Sequence, residues 1–544
     1  MGKEFAMGKK EAARKSGMIT DRKIKQEDKR EAKHEVKQED KKKNKLKEVK
    51  NRHLTNISLP FADEADNRKA ALFFGDLEQR IILPRAEKNA LIEDFEKALE
   101  FYAASGLSAD DALERLDAKN LGGFYSRPAN TWYALDNAAR IYPFSMKHDY
   151  MAVFRLSAYL KEDVVPEILQ MALTFTIKRF PSFATTVKKG FFWHYLDSTK
   201  RRYVVEPETG MPCQPIRIGR SGSQSFRVLY YKNRISAEFF HILTDGTGGM
   251  CFLKTLIAEY FRLLGVPSSC GNGILPVNGI VSPGEITNEF LNIHPEGAAS
   301  GFVDKAAVQY GGKLARVKPC RVIHFKIDAA SLKDVAVRKG ATVTAYILSL
   351  MFVAGRRASD AIDGEFNIQV PVNMRKFYPS ETLRNFSMYC GIRLPLADIR
   401  DTDALIPEIM RQLREKASCR AMNEMVNATN RLINAIRFIP LFLKAPVARE
   451  VYGFLGDRIF SNTLSNLGVV SLPPELAERT ESMDFVLGAA ITNRASCSML
   501  TFGKWTTLSV SKNTADPSFE EAIYDLLCRD GLNPVVEGSE LIAD

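Results

Sequence analysis

The sequence predicts an α/β protein built as two sandwiched lobes, each a two-layer α+β sandwich, behind a charged tail and a helical lead-in. Three observations predict it. Helical and strand patterns alternate irregularly in both halves of the chain, with no parallel strand–helix–strand repeat. A stretch rich in Gly, Pro, Ser and Asn, residues 266–315, separates two mixed halves, 126–310 and 311–544. The chain has 544 residues, too many for one ordinary core, and 45% of them are apolar, enough to bury two.

The first element, residues 1–53, is a basic tail. Residues 1–52 hold 19 Lys/Arg and 10 Asp/Glu, so +9 of the net +11 belongs to them and the remainder is close to neutral. Such a composition cannot bury enough apolar surface to offset the entropy of ordering. A disordered or transiently helical segment is expected, since opposite charges recur at i,i+4. Nucleic acid or an anionic membrane is expected as a partner only through residues 1–52. The eight cysteines stand singly, with no CxxC pair or Cys/His cluster, so no metal site is expected. Isolated thiols without a secretory leader pattern predict a cytoplasmic, reduced protein. The longest apolar run, residues 341–355, falls short of the ~20 residues of a membrane-spanning helix and reads as a buried one.

Residues 54–125 form the lead-in. "EKNALIEDFEKALEFYAASG" has apolar residues at helical spacing and a Gly stop, and "SADDALERLDAKN" opens on a Ser cap with acids in its first turn. In the first half, residues 164–183 read as an amphipathic helix ended before Pro181. Residues 183–197 read as a hairpin around Lys188-Lys189-Gly190, and 225–241 as another that turns at Lys232-Asn233-Arg234. On the second arm Ile235, Ala237, Phe239 and His241 fall on one face. A helix follows Gly249 and stops at Gly265. The second half reads as strand, helix, helix over 321–359. Strands follow at "FNIQVPVNMRKFY" and "MYCGIRLPLAD", then a helix with an Asp/Thr start at 401–418. Residues 431–456 read as an interrupted amphipathic helix packed across a lobe, with a membrane surface or a long acyl chain as the other reading. Strands at "MDFVLGAAI", "CSMLTFGK" and "TTLSVSKN" precede a helix, "DPSFEEAIYDLLCRDG", that is expected to close the chain.

The chemistry concentrates at "FFHILTDGTGG", residues 239–249. An imidazole titrates near neutral pH and can take a proton from a hydroxyl, amine or thiol as that atom attacks a carbonyl. His241 stands where a strand ends and a turn begins, the place such a base needs. Gly246, Gly248 and Gly249 permit positive φ and close backbone approach. They lead into a helix N-terminus whose partial positive charge suits an anionic group. Taken alone, a single His at a strand end is more often a structural residue, and HxxxDG spacing recurs by chance. His194 and His324 sit at sheet positions, His294 in a loop, and His34 and His53 in or beside the tail.

The surrounding segments add to this motif. "FFHILTDGTGG" resembles the HxxxDG motif of the chloramphenicol acetyltransferase-like superfamily, closest to its bacterial alcohol acetyltransferase-like proteins. "WYALDNAARIYPF" (132–144), "LTFTIKRFPSFATTVKKGFFWHYLD" (173–197), "VPVNMRKFYPSETLRNFSMYCGIRLP" (370–395) and "SNTLSNLGVVSLP" (461–473) resemble further segments of that family in the same order. The resemblance covers about 126–530. It implies two similar lobes with an active-site tunnel between them and His241 as the general base at its centre. It implies that Asp245 is structural, paired with Arg375 of the second half, and that Gly246 shapes the turn. A buried carboxylate needs such a partner, and a guanidinium can grip it bidentately.

Ser465 and Asn466 are candidate oxyanion donors by family position, with a turn role as the competing reading. Asn385 either lines the tunnel or closes a strand, and the second is favoured. Many members carry two histidines, HHxxxDG; here Phe240 takes the first place. The plant-type DFGWG motif is absent, with a faint echo in "LTFGKW". The expected activity is acyl transfer from a thioester to a hydroxyl or amine, with no bound cofactor and acyl-coenzyme A as co-substrate. A carrier protein could instead present the donor. The competing functions are condensation-domain-like joining of carrier-bound groups and a catalytically silent member that binds a ligand or partner.

Overall fold

The computed structural model describes residues 60–126, 131–145, 151–216, 224–294, 297–299, 305–446, 458–488 and 492–539. The tail expected at 1–53 lies outside them. From residue 60 the lead-in is helical, and its caps set the boundaries. Asp63 accepts from Ala65 N–H to open Glu64–Arg80, and Ser108 accepts from Asp111 N–H to open Ala109–Arg115. Between them lies Arg85–Ala104, whose buried Leu91, Phe95 and Ala98 recur at helical spacing. This helix packs on Pro166–Thr176, and the Tyr102 hydroxyl donates to Leu263 O at 2.8 Å. The lead-in thus shares one hydrophobic core with the first half.

That half is built on a five-stranded sheet ordered Thr480–Leu487, Val153–Leu160, Arg234–Phe240, Phe226–Tyr231, Val205–Pro207. All its pairs are antiparallel except the last. A three-stranded sheet, Trp132–Ala134, His194–Ser198, Thr185–Lys189, lies beside it in the sequence of the same half. The expected hairpins are present, with registers Lys189↔His194 and Tyr231↔Arg234. Helices Pro166–Thr176 and Gly246–Leu263 pack on each other over the larger sheet.

The second half is built on a seven-stranded sheet. Its order is Ser387–Pro395, Glu365–Asn373, Asn462–Val470, Ala495–Phe502, Trp505–Lys512, Arg321–Asp328, Val535–Gly538. Asn462–Val470 is parallel to both of its neighbours, and the other pairs are antiparallel. Val343–Arg357 is the buried helix of the 341–355 run. Thr342 caps it through Ala345 N–H, and Thr402–Lys416 and Ser518–Arg529 flank it. No single helix among the described residues is long and apolar enough to cross a membrane.

Several features differ from the sequence expectation. Val153–Leu160, which sequence reasoning did not assign, is a strand buried on both faces, with Arg155 and Ser157 buried alongside the Phe154, Leu156 and Ala158 they alternate with. Thr480–Leu487 crosses into the first sheet, so the boundary drawn at 310 does not separate the two sheets. Hydrophobic pattern marks a strand but does not name its partner. The chain does not close on the helix Ser518–Arg529, because Val535–Gly538 adds an edge strand beside Arg321–Asp328. Over 431–446 the helix is interrupted at Pro440 as expected, but it does not pack most of its apolar side chains across a lobe. Cys419–Ala435 ends, residues 441–446 resume helix, and Phe438, Phe442 and Leu443 stand exposed. Residues 447–456 lie outside the described chain.

Candidate active site

His241 follows directly on Arg234–Phe240. Its backbone N–H donates to Ala152 O at 2.8 Å, and Leu243 N–H donates to Phe240 O at 2.9 Å to close the turn. The ring is half-buried, with Tyr142 stacked on one face at 5.1 Å between centroids and Phe154 edge-on at 5.2 Å. Burial lowers the imidazole pKa from its ordinary value. The chain's own His241 carbonyl and the Asp245 charge offset only part of this. The ring is therefore neutral at neutral pH, the form that can accept a proton.

Asn385 reaches this histidine from the second half. Its Nδ2 lies 3.0 Å from the His241 carbonyl oxygen and 3.1 Å from Nδ1. An amide nitrogen can only donate, so the 3.1 Å contact from Asn385 is a hydrogen bond when Nδ1 is unprotonated, whereas a proton on Nδ1 goes to the chain's own carbonyl. Of these two tautomers, the one with the proton on Nδ1 leaves the lone pair on Nε2. Among the described residues nothing hydrogen-bonds to Nε2. The sequence favoured a strand-closing role for Asn385. The structure instead sets it on the imidazole, and Ser387 Oγ donates to its Oδ1 at 2.9 Å.

Asp245 is turned away from the ring and fully engaged. As the N-cap of Gly246–Leu263 it accepts from Thr247 and Gly248 N–H, each at 3.1 Å, through Oδ1. Through Oδ2 it accepts from Arg375 Nη1 at 2.7 Å and Phe386 N–H at 2.8 Å. The anion that meets this helix N-terminus is thus the chain's own carboxylate. Arg375 spends its other donors on the Thr382 and Arg384 carbonyls. The pair ties the turn after His241 to the segment 382–386.

The glycines serve the close approach expected of them, not positive φ. None of Gly246, Gly248 and Gly249 has positive φ. A Cβ on Gly248 would run into Leu383 O and Thr244 Oγ1, and one on Gly246 into the Leu467 side chain. Their requirement is space, which lets residues 383 and 467 of the second half close on the helix start. Of the two candidate oxyanion donors, Asn466 serves the turn. Its Oδ1 accepts from Gly468 N–H at 2.8 Å and its Nδ2 donates to Thr344 Oγ1 at 3.0 Å, at a bulge in the strand. Ser465 is buried and makes no side-chain hydrogen bond among the described residues.

Sequence reasoning missed two neighbours of the site, both in the quoted 132–144 segment. Tyr142 supplies the stacked ring. Asp136 lies 3.1 Å from Arg384 Nη2 without hydrogen-bond alignment, and burial pushes its carboxyl up to about 7 against the pull of Arg384. The segment's likeness to a known pattern was the available signal, but nothing in its spacing pointed at His241. Among the described residues no three His, Cys, Asp or Glu side chains gather as a metal site.

No protein-family profile matches the sequence, and a search of curated proteins finds no match. Solved structures do match. TRI101 of F. sporotrichioides, complexed with coenzyme A and T-2, has a TM-score of 0.52 at 11% identity, covering 72% of this chain and 97% of that one. TRI101 of F. graminearum with ethyl coenzyme A scores 0.51 at 11% identity, covering 74% and 99%. The same protein with coenzyme A and T-2 mycotoxin scores 0.50 at 12% identity, covering 74% and 100%. At such identities the likeness is one of fold, and the chain has the chloramphenicol acetyltransferase-like fold.

Proposed function

We propose that the chain is an acyltransferase that moves an acyl group from a thioester to a hydroxyl or amine acceptor, with His241 as general base. The observation that carries this reading is the state of the imidazole. It is neutral, held through Nδ1 and its own carbonyl, clamped between aromatic rings, and leaves Nε2 unengaged among the described residues. With the ring proton on Nδ1, the tautomer this reading requires, Nε2 takes the acceptor's proton as the acceptor attacks the thioester carbonyl. The tetrahedral intermediate then expels the thiolate, which recovers that proton from the imidazolium. Asp245 has no lone pair to offer the ring, so its part, with Gly246 and Arg375, is to hold the turn. Asn385 and Tyr142 orient the imidazole. Ser465 is a better oxyanion donor than Asn466, whose amide is already engaged.

Assembly of the site from both halves supports a tunnel between them, open to acceptor on one side and donor on the other. Fold neighbours complexed with coenzyme A support an acyl-coenzyme A donor. The alcohol acetyltransferase-like motifs support a hydroxyl acceptor. The test is thioester consumption by the purified chain, given acetyl- and longer acyl-coenzyme A or carrier-bound donors with pools of alcohols and amines. Thiol release that needs both donor and alcohol, with the ester found by mass, supports the reading. Turnover only of carrier-bound donors with amines moves it to condensation-like chemistry. Silence with every donor leaves ligand binding.

A further inference from the structure

The hairpin tip at 190–193 and the segment 436–446 form one apolar surface. Phe191, Phe438 and Phe442 are 67%, 71% and 69% exposed, and Phe192, Ile439 and Leu443 stand exposed beside them. The two segments touch. Leu441 N–H donates to Phe191 O at 2.8 Å, and the Phe192 and Phe438 rings meet edge-on at 6.3 Å. Lone exposed apolar residues are ordinary, but a contiguous group of this size and aromatic content is not.

The charges around it have one sign. "KKGFFW" (188–193) and "RLINAIRFIPLFLKAP" (431–446) contain Lys188, Lys189, Arg431, Arg437 and Lys444 and no Asp or Glu. Lys188 pairs with Asp197 further along the hairpin. Lys189, Arg431 and Arg437 are exposed, and Arg437 lies over the Phe438 ring at 4.5 Å, so exposed cations and rings are interleaved, while Lys444 is buried beneath them over the Trp193 ring at 3.3 Å. Aromatic and aliphatic side chains ringed by Lys and Arg fit the boundary between lipid headgroups and acyl chains. A second copy of the chain would set this cationic surface against itself, which opposes self-pairing.

We infer that the surface formed by 190–193 and 436–446 docks the protein on a membrane containing anionic lipid, with Phe191, Phe438 and Phe442 inserted and Lys189, Arg431 and Arg437 on the headgroups. Residues 1–52, with their charge of +9, add long-range attraction to the same lipids. Docking also brings the bilayer close to the site, because Arg140 lies on Trp193 at 5.1 Å and Tyr142, two residues on, stacks on His241.

The experiment is sedimentation of the full-length chain with vesicles of phosphatidylcholine, with and without phosphatidylglycerol, at low and raised salt. It reads binding alone, so its outcome does not depend on acyl transfer. The wild type is expected to bind the anionic vesicles and to keep part of that binding at raised salt, where attraction by the tail is screened. Phe438→Glu with Phe442→Glu is expected to cut binding about tenfold or more, with the melting temperature unchanged, because both rings are already in water. Phe191→Ser is expected to act in the same direction from the other segment. The inference is overturned if the double variant and Phe191→Ser bind as the wild type does, since the tail then accounts for all attachment. It is overturned equally if the wild type binds neither vesicle, or if the surface proves to hold two copies of the chain together in solution.

Discussion

Arg375 makes contacts that no single-point cation could reproduce. Its guanidinium reaches the Asp245 carboxylate, the Asn373 side chain and two backbone carbonyls from one planar group. Arg375→Ala would leave a buried carboxylate beside a helix start and two buried carbonyls unmet. A loss of about 3–5 kcal/mol is expected in denaturant unfolding, with a much smaller recovery in Arg375→Lys than charge alone would give. This pair was legible in the sequence because HxxxDG and the later Arg belong to one recurring pattern. Asn385 was misjudged and Tyr142 and Asp136 were passed over for a shared reason. Asn385 lies 144 residues from His241, and no local spacing encodes a contact of that range.

Among the elements, the helix Gly246–Leu263 is placed by small residues as much as by its apolar face. Gly248→Ala is expected to destabilise by about 1–3 kcal/mol, because the added methyl meets backbone and hydroxyl that cannot yield. Gly75→Ala has the opposite sign. Gly75 lies inside the helix Glu64–Arg80 with nothing within 4 Å of the new Cβ, so a gain of about 0.5–1 kcal/mol is expected. Paired thermal melts of the two variants check both signs. Helices were the most legible elements, since Ser108, Thr342 and Asp401 announce their starts through caps. The strand Val153–Leu160 was passed over although Arg155 and Ser157 alternate with its apolar residues, and both of these polar residues are buried, so the alternation does not mark a solvent face.

For the whole molecule, the decisive feature is the strand Thr480–Leu487, which leaves the second half and completes the first sheet. Residues 60–315 expressed alone would present Val153–Leu160 as a bare edge in the middle of a hydrophobic core. That fragment is expected to be insoluble alone and to be rescued by co-expression with the remainder. Circular dichroism and gel filtration of the two preparations read the difference. The two halves were legible from composition, but the strand exchanged between them was not, because any strand of this pattern could pair with either sheet. The same interlocking holds His241 of one half against Asn385 and Arg375-bound Asp245 at the border of the other, and it is there that acyl transfer is proposed. The most direct test is the initial rate of thiol release from acyl-coenzyme A across pH, with wild type and His241→Ala side by side. A neutral base with a lowered pKa predicts a rate that rises as pH climbs through a value below 6.5 and is level above it, and a variant slower by about a hundredfold to ten-thousandfold. A variant that keeps the wild-type rate, or a wild-type rate that falls over that rise in pH, would contradict His241 as the base.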